Sequence, residues 1–223
     1  MLSKIFIYLL SLPKTLFYNF RYLPFRQAVH FPIVVRYDAV IRVLGGGKML
    51  IDNELANRRF LIRIGFHHVP VCDMGVKTYI EINNNGCLVF NGAAHIGHGS
   101  KFCVHGKCEL GDEFAISSNA TIYCYNSIKF GRDCLLGWDV LVMDSDSHTI
   151  YDKNGKVFNT SKPITIGDKV WLCYGSTVLK GASVPKNCVV GAKSLVTGTN
   201  FLPNTLIVGS PAKSIKEIQS WNI

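Results

Sequence analysis

The chain has 223 residues, 48% of them hydrophobic, and a formal charge of +9 from 24 Lys and Arg against 15 Asp and Glu. That length suits one large domain or two small ones, with apolar content enough for a continuous core. The positive balance favours anionic partners such as a phosphorylated cofactor, a nucleotide-linked substrate or an anionic membrane face, but the basic residues are scattered, so no nucleic-acid partner is expected.

Residues 1–30 stand apart. They mix Ile5, Phe6, Ile7, Leu9, Leu10, Leu12, Leu16 and Phe17 with Lys4, Lys14 and Arg21. The uninterrupted apolar run Ile5–Leu10 is far short of the roughly 20 residues a transmembrane helix needs. Pro13 is expected to break or kink a helix here. No A-x-A-like cleavage site follows, which argues against an exported chain. Two readings stand side by side: a segment lying on the inner face of a bacterial membrane through residues 1–26, or a cap on the first turn of the fold that follows.

From Pro32 onward the chain reads as short strands, at Ile33–Arg36, Val40–Leu44, Leu61–Ile64, Tyr79–Ile82 and Leu88–Phe90. Gly45-Gly46-Gly47 is a turn without the frame of a nucleotide-binding loop. A ladder of period six then emerges. Val104, Leu110, Ile116, Ile122 and Ile128 keep that spacing, and Phe130, Leu136 and Val142 continue it two residues out of phase. The slip falls in Tyr123–Lys129 and predicts a turn two residues longer there. The ladder stops at Asp144 and resumes as Ile166, Leu172, Val178, Val184, Val190 and Val196, each preceded two residues earlier by a small or apolar side chain. A helix repeats every 3.6 residues and a strand every 2, so a strict six belongs to neither alone. It fits a parallel β-helix in which each hexapeptide supplies one short strand and one turn. The polar stretch 144–163 reads as a loop thrown out of the coil, the kind of long loop that carries function.

The eight cysteines contain no CxxC pair, and several, such as Cys188, sit where a coil takes small side chains. They read as reduced, buried thiols of a cytoplasmic protein. Cys103, His105 and Cys108 fall on different faces of such a coil, and no metal site is expected there.

The run ITIGDKVWLCYGSTVLKGASVPKNCVVGAKSLVTG from Ile164, with the ending FLPNTLIVGSPAKSIK, resembles the hexapeptide-repeat acyltransferases of the left-handed β-helix superfamily. Within it the chain looks most like the sugar and polysaccharide O-acetyltransferases, the group that includes maltose, galactoside and nodulation-factor acetyltransferases. The resemblance implies an all-β, left-handed triangular prism, here over residues 31–205; residues 1–30 are the cap or membrane-peripheral segment, residues 206–223 the C-terminal tail, and the short stretch Ile215–Ile223 reads as a terminal helical turn. It further implies a homotrimer, with acetyl-CoA lying between neighbouring prisms and a saccharide acceptor, nucleotide- or lipid-linked, beside it.

Moving an acetyl group from thioester to hydroxyl needs a base, an oxyanion donor and a groove for the carrier. His148, in DSDSHTI at the start of the loop, matches the family's catalytic histidine, and its ordinary pKa lies near working pH. Asp144, Asp146 and His148 alternate, so an extended segment would point all three to one side. Asp146 is the nearer carboxylate for orienting the imidazole, while Asp144 is a candidate for sugar hydroxyls. Trp171 falls where the family carries an aromatic beside the pantetheine end. Gly175 and Ser176, and one coil later Gly191, Ala192 and Lys193, are expected to let the carrier lie against the backbone. Lys213 in GSPAK matches a position that meets CoA phosphates. The oxyanion donor stays unassigned, with the Asn119 amide a candidate contact. An acetyltransferase for an antibiotic or for serine, and a non-catalytic scaffold, are the alternatives.

Overall fold

A computed structural model describes residues 2–55 and 57–222, with side chains from residue 5 onward. Met1, Ala56 and Ile223 lie outside the described residues, and with them the extreme ends of the predicted N-terminal segment and tail. The chain forms a left-handed parallel β-helix. Its three faces are sheets of 9, 7 and 6 strands, called here faces 1, 2 and 3. Successive coils visit the faces in that order: coil 1 through Ile33–Val35, Val40–Val43 and Lys48–Ile51, and coil 5 through Leu135–Leu136, Leu141–Met143 and Ile164–Ile166.

The period of six follows from what each face must bury. Side chains alternate along a strand, and the inward positions of all three faces converge on one core. Ile122, Ile128, Phe130, Leu136, Val142, Ile166, Leu172, Val178, Val184, Val190 and Val196 are all buried in it. The phase slip has a different cause from the one the spacing predicts. The face 2 strand Thr121–Cys124 is longer, turning both Ile122 and Cys124 inward, and the following turn is only Tyr125–Asn126.

Between faces the backbone must turn sharply, and it does so through a left-handed residue. Along the edge joining face 1 to face 2 these are Asn119, Asp139, Gly175 and Lys193, with φ of 54°, 58°, 59° and 58°. Asn, Asp and Gly adopt this region most readily. Elsewhere glycine is demanded by closeness: a Cβ on Gly111 would lie 2.2 Å from the carbonyl oxygen of Gly131, one coil above.

The N-terminal segment caps the prism. Helix α1 (Leu2–Tyr22) runs unbroken through Pro13. The expected break does not occur because Pro13 sits on the exposed side, while the opposite side is held by contacts to the first coil. Every fourth residue, Ser11, Thr15 and Asn19, turns the same way and is buried. Asn19 Nδ2 donates to the Ile33 carbonyl at 2.7 Å, and its Oδ1 accepts from Ile33 N at 3.2 Å. Thr15 Oγ1 accepts from Val35 N at 3.1 Å, Ser11 Oγ from Tyr37 N at 3.0 Å, and the Tyr18 hydroxyl from Ile41 N at 3.1 Å. These side chains stand in for the strand that a preceding coil would supply. A second short helix, α2 (Phe25–Ala28), sends Gln27 to the Ile51 carbonyl on face 3. At the other end, Thr205–Gly209 adds to face 1 and pairs antiparallel with Ala212–Glu217. The tail is thus a strand, not the predicted helical turn, because the last coil offers it a free edge.

Asn19→Leu should cost about 3 kcal/mol, since two buried backbone groups of Ile33 lose their partner. Phe17→Ser, about half a turn away on the exposed side, should stay within about 0.5 kcal/mol. Denaturant unfolding of the two variants checks the contrast.

Candidate active site

The predicted loop leaves the prism after Leu141–Met143 on face 2 and returns at Ile164–Ile166 on face 3, so it hangs from the face 2–face 3 edge of coil 5. Its root is Asp144, fully buried. Asp144 Oδ1 accepts from Tyr125 N at 2.7 Å, and Oδ2 accepts from Asn126 N at 2.8 Å and Ser127 N at 2.7 Å. Three backbone donors of the turn below take up this carboxylate. Asp144 therefore anchors the loop and presents no free oxygen to a sugar, contrary to the sequence expectation.

The alternation of Asp144, Asp146 and His148 does not survive either. Ser147 takes a left-handed conformation, φ 65°, which ends the extended run before the histidine. The Asp146 carboxylate forms an ion pair with Lys180 and accepts from Asn159 Nδ2 at 2.9 Å. The hydrogen bond from Lys180, then that from Asn159, holds its pKa below the usual carboxylate value. Asp146 is thus committed to fixing the loop, and its hydrogen bonds do not go to the imidazole. Asn159 closes the same loop: its amide nitrogen also donates to the His148 carbonyl at 2.7 Å, and its Oδ1 accepts from Ile150 N at 2.7 Å. His148 itself is exposed on this clasped backbone. Neither Lys180 nor Asn159 was legible as a loop clamp: Lys180 reaches the loop from the next coil, and Asn159 meets its partners only through the fold of an irregular loop with no period to read.

The predicted carrier residues lie on another edge. Gly175 and Ser176 occupy the face 1–face 2 edge of coil 6, and Gly191, Ala192 and Lys193 the same edge of coil 7. Ser176 points inward and is buried, its backbone N donating to Cys173 and its carbonyl accepting from Leu141. Its hydroxyl is buried without a hydrogen-bond partner and faces the core, not the surface where a carrier amide would lie. Ala192 and Lys193 are exposed. Lys193 Nζ sits 4.3 Å from the centre of the Tyr174 ring, and Tyr174 packs on Trp138 with ring centres 5.1 Å apart. Trp138 and Tyr174, which form a column with the predicted Lys193, escaped the sequence reading, although all three fall in equivalent turns. Trp171 faces outward on face 1 and packs against Trp221 of the tail, 5.9 Å between centres. Lys213 is exposed on the last strand, after a cis Ser210–Pro211 bond.

A second loop was not foreseen as such. Residues 65–78 interrupt coil 2 at the face 1–face 2 edge and lie over the turns of coils 3 and 4, where Val69 N donates to Ser118 Oγ at 3.2 Å. Cys72 Sγ approaches Asn119 Oδ1 at 3.8 Å, so Asn119 is covered by this loop and lies away from His148. Beneath it, His98 is buried: Arg36 donates to its Nδ1 at 2.8 Å, leaving Nε2–H for the Met74 carbonyl at 3.2 Å. One protomer therefore carries the histidine loop and the exposed Ala192–Lys193 turn on different edges of the triangle.

Lys180→Met and Asn159→Ala should each raise amide exchange across 146–160 at neutral pH while leaving the core protected. A carboxyl whose folded pKa is depressed contributes stability above its unfolded value and loses it as pH falls through the folded one. The unsubstituted loop should therefore stay clasped at neutral pH and loosen only below the ordinary value of 3.8. Hydrogen-exchange mass spectrometry from neutral to acid pH reads both effects.

No family model matches the chain. It is 32% identical over 150 residues to a polysialic acid O-acetyltransferase of Neisseria meningitidis, covering 66% of this chain and 70% of that one. It is 30% identical over 120 residues to the galactoside O-acetyltransferase of Escherichia coli K12, covering 52% and 57%. A Schizosaccharomyces pombe relative is 33% identical over 111 residues, with 50% of this chain and 53% of that one covered. The chain thus spans little more than half the length of two of these relatives. Among solved structures, the polysialic-acid-specific acetyltransferase NeuO superposes with a TM-score of 0.55 over 86% of this chain and 89% of that one, at 22% identity, a likeness of fold. With its ladder of hexapeptides, its prism and these sequence matches, the chain belongs to the hexapeptide-repeat O-acetyltransferase family.

Proposed function

We propose that this chain transfers an acetyl group from acetyl-CoA to a sugar hydroxyl of a surface polysaccharide or its precursor, with His148 as the base. The observation that carries this reading is an exposed histidine on a clasped loop, in a chain whose relatives include O-acetyltransferases of galactosides and of polysialic acid.

In this reading the neutral imidazole of His148 takes the proton of the acceptor hydroxyl as its oxygen attacks the thioester carbonyl. The tetrahedral intermediate then collapses, the C–S bond breaks, and the imidazolium returns the proton to the thiolate. Asn159 and Asp146 are positioning residues: they hold the backbone of 146–150 so that the imidazole meets the hydroxyl without an ordering cost. The exposed Ala192 and Lys193 suit a phosphorylated carrier: the small Ala192 side chain admits it close to the chain, and Lys193 and Lys213 supply positive charge for its phosphates, while the space beside Gly175 is taken by the Lys193 stem and that beside Gly191 by Val208.

Because the two halves lie on different edges of one prism, we read the working unit as a homotrimer, in which the histidine edge of one protomer faces the Lys193 edge of the next. His148→Ala should lower turnover by about 10²–10⁴-fold, with acetyl-CoA binding retained. Ala192→Trp should block the carrier with the loop intact. Refolding the two inactive variants together should restore about a quarter of the sites, because hybrid trimers pair an intact loop with an intact neighbouring turn. Complementation is absent if each protomer builds its site alone.

A further inference from the structure

We propose that the outward side of α1 is an interfacial surface that seats the end of the prism on an anionic lipid bilayer. The helix is amphipathic in the reverse of the usual sense. A helix packed on a core normally buries its apolar stripe and shows its polar side to water. Here Ser11, Thr15 and Asn19 are turned inward and spent on the backbone of the first coil. The side that points away carries Phe6, Leu9, Leu16, Phe17 and Phe20, continued by Phe25 of α2. Phe6 is 61% exposed, Phe17 58% and Phe25 76%. At 100° per residue these α1 positions, with their apolar neighbours Ile5, Leu10 and Leu12, fill nearly half the circumference without a charge. A monomer rarely leaves a continuous apolar strip of this kind uncovered.

Charge selects the occupant. The first acidic residue of the chain is Asp38, so residues 1–37 hold Lys4, Lys14, Arg21, Arg26 and Arg36 and no carboxylate side chain, although Glu54 lines the same hollow as Arg26. Arg36 is buried beside Asp38 and Lys14 donates to the Ala39 carbonyl, which leaves Arg21 and Arg26 exposed next to the apolar strip. A second copy docked face to face would set these arginines against their own counterparts, whereas an anionic headgroup layer meets them with the opposite sign. No described helix is long and apolar enough to cross a membrane, so α1 lies in the interface rather than through it. The histidine loop leaves coil 5, four strand spacings above coil 1, or about 19 Å. On the acetyl-transfer reading, this places His148 beside a saccharide carried above the bilayer by its lipid, and not at the lipid itself.

The test uses the full chain, sedimented with vesicles of phosphatidylcholine alone and of phosphatidylcholine and phosphatidylglycerol in equal parts. The chain should pellet with the mixed vesicles, and less so as salt rises. Phe6→Ser and Phe17→Ser should each reduce partitioning by about tenfold or more, through lost apolar burial, at an unchanged melting temperature. Arg21→Glu combined with Arg26→Glu should remove the preference for the mixed vesicles. Transfer to a soluble acceptor should be unaffected by all of these, which separates this proposal from the acetyl-transfer reading. A folded chain that stays in the supernatant with both vesicles overturns the proposal. So does a concentration-dependent gain in mass that Phe17→Ser abolishes while vesicles bind nothing, since the strip would then join copies of the chain.

Discussion

Each coil of this prism depends on its neighbours for its backbone hydrogen bonds. Parallel strands one coil apart pair in register along all three faces, from Val40↔Tyr79 near the first coil to Val178↔Val196 near the last. No face can form alone, and the stack must be closed at both ends, since an open strand edge is a template for unwanted pairing. The N-terminal end is closed by side chains, with Asn19, Thr15, Ser11 and Tyr18 supplying the donors and acceptors of a missing strand. The C-terminal end is closed by an antiparallel strand whose outer residues, Lys213, Lys216 and Glu217, are exposed and charged. The same dependence explains where the loops are. An insertion within a strand would break the pairing of two coils, so both 65–78 and 144–163 leave the prism at an edge.

Much of this was written in the residue spacing. A strict six with aliphatic side chains admits no helix and no ordinary sheet, so a parallel β-helix could be read from Ile166 to Val196, and the extruded loop from the gap in the ladder after Asp144, while the triangular prism was implied by the family resemblance. Handedness could not be, and came from the family resemblance. Of the break or kink expected at Pro13, the break does not occur: Pro13 lies on the exposed side, where water can take up the carbonyl that its missing N–H leaves free, and sequence does not show the side. The phase slip was placed in a turn when it lies in a longer strand, since both give the same count of residues.

The site was legible as a list and not as an arrangement. His148 stands exposed on the loop, where the motif put it. The two aspartates did not keep their expected partners, because alternation implies a shared side only while the backbone stays extended, and Ser147 ends that. Asp144 turned inward to backbone donors, and Asp146 turned to Lys180, 34 residues onward in the chain. Such contacts join coils and leave no local pattern. The histidine loop and the carrier turn lie on two different edges of one prism. This separation makes assembly part of the chemistry in the account given above.

The measurement closest to the centre of that account is calorimetric titration of acetyl-CoA into the purified chain, with the oligomeric mass determined on the same sample. The account predicts saturable binding near one carrier per chain in a trimer, weakened when Lys193 and Lys213 are exchanged for Glu. A well-folded trimer that takes up no acetyl-CoA would contradict it.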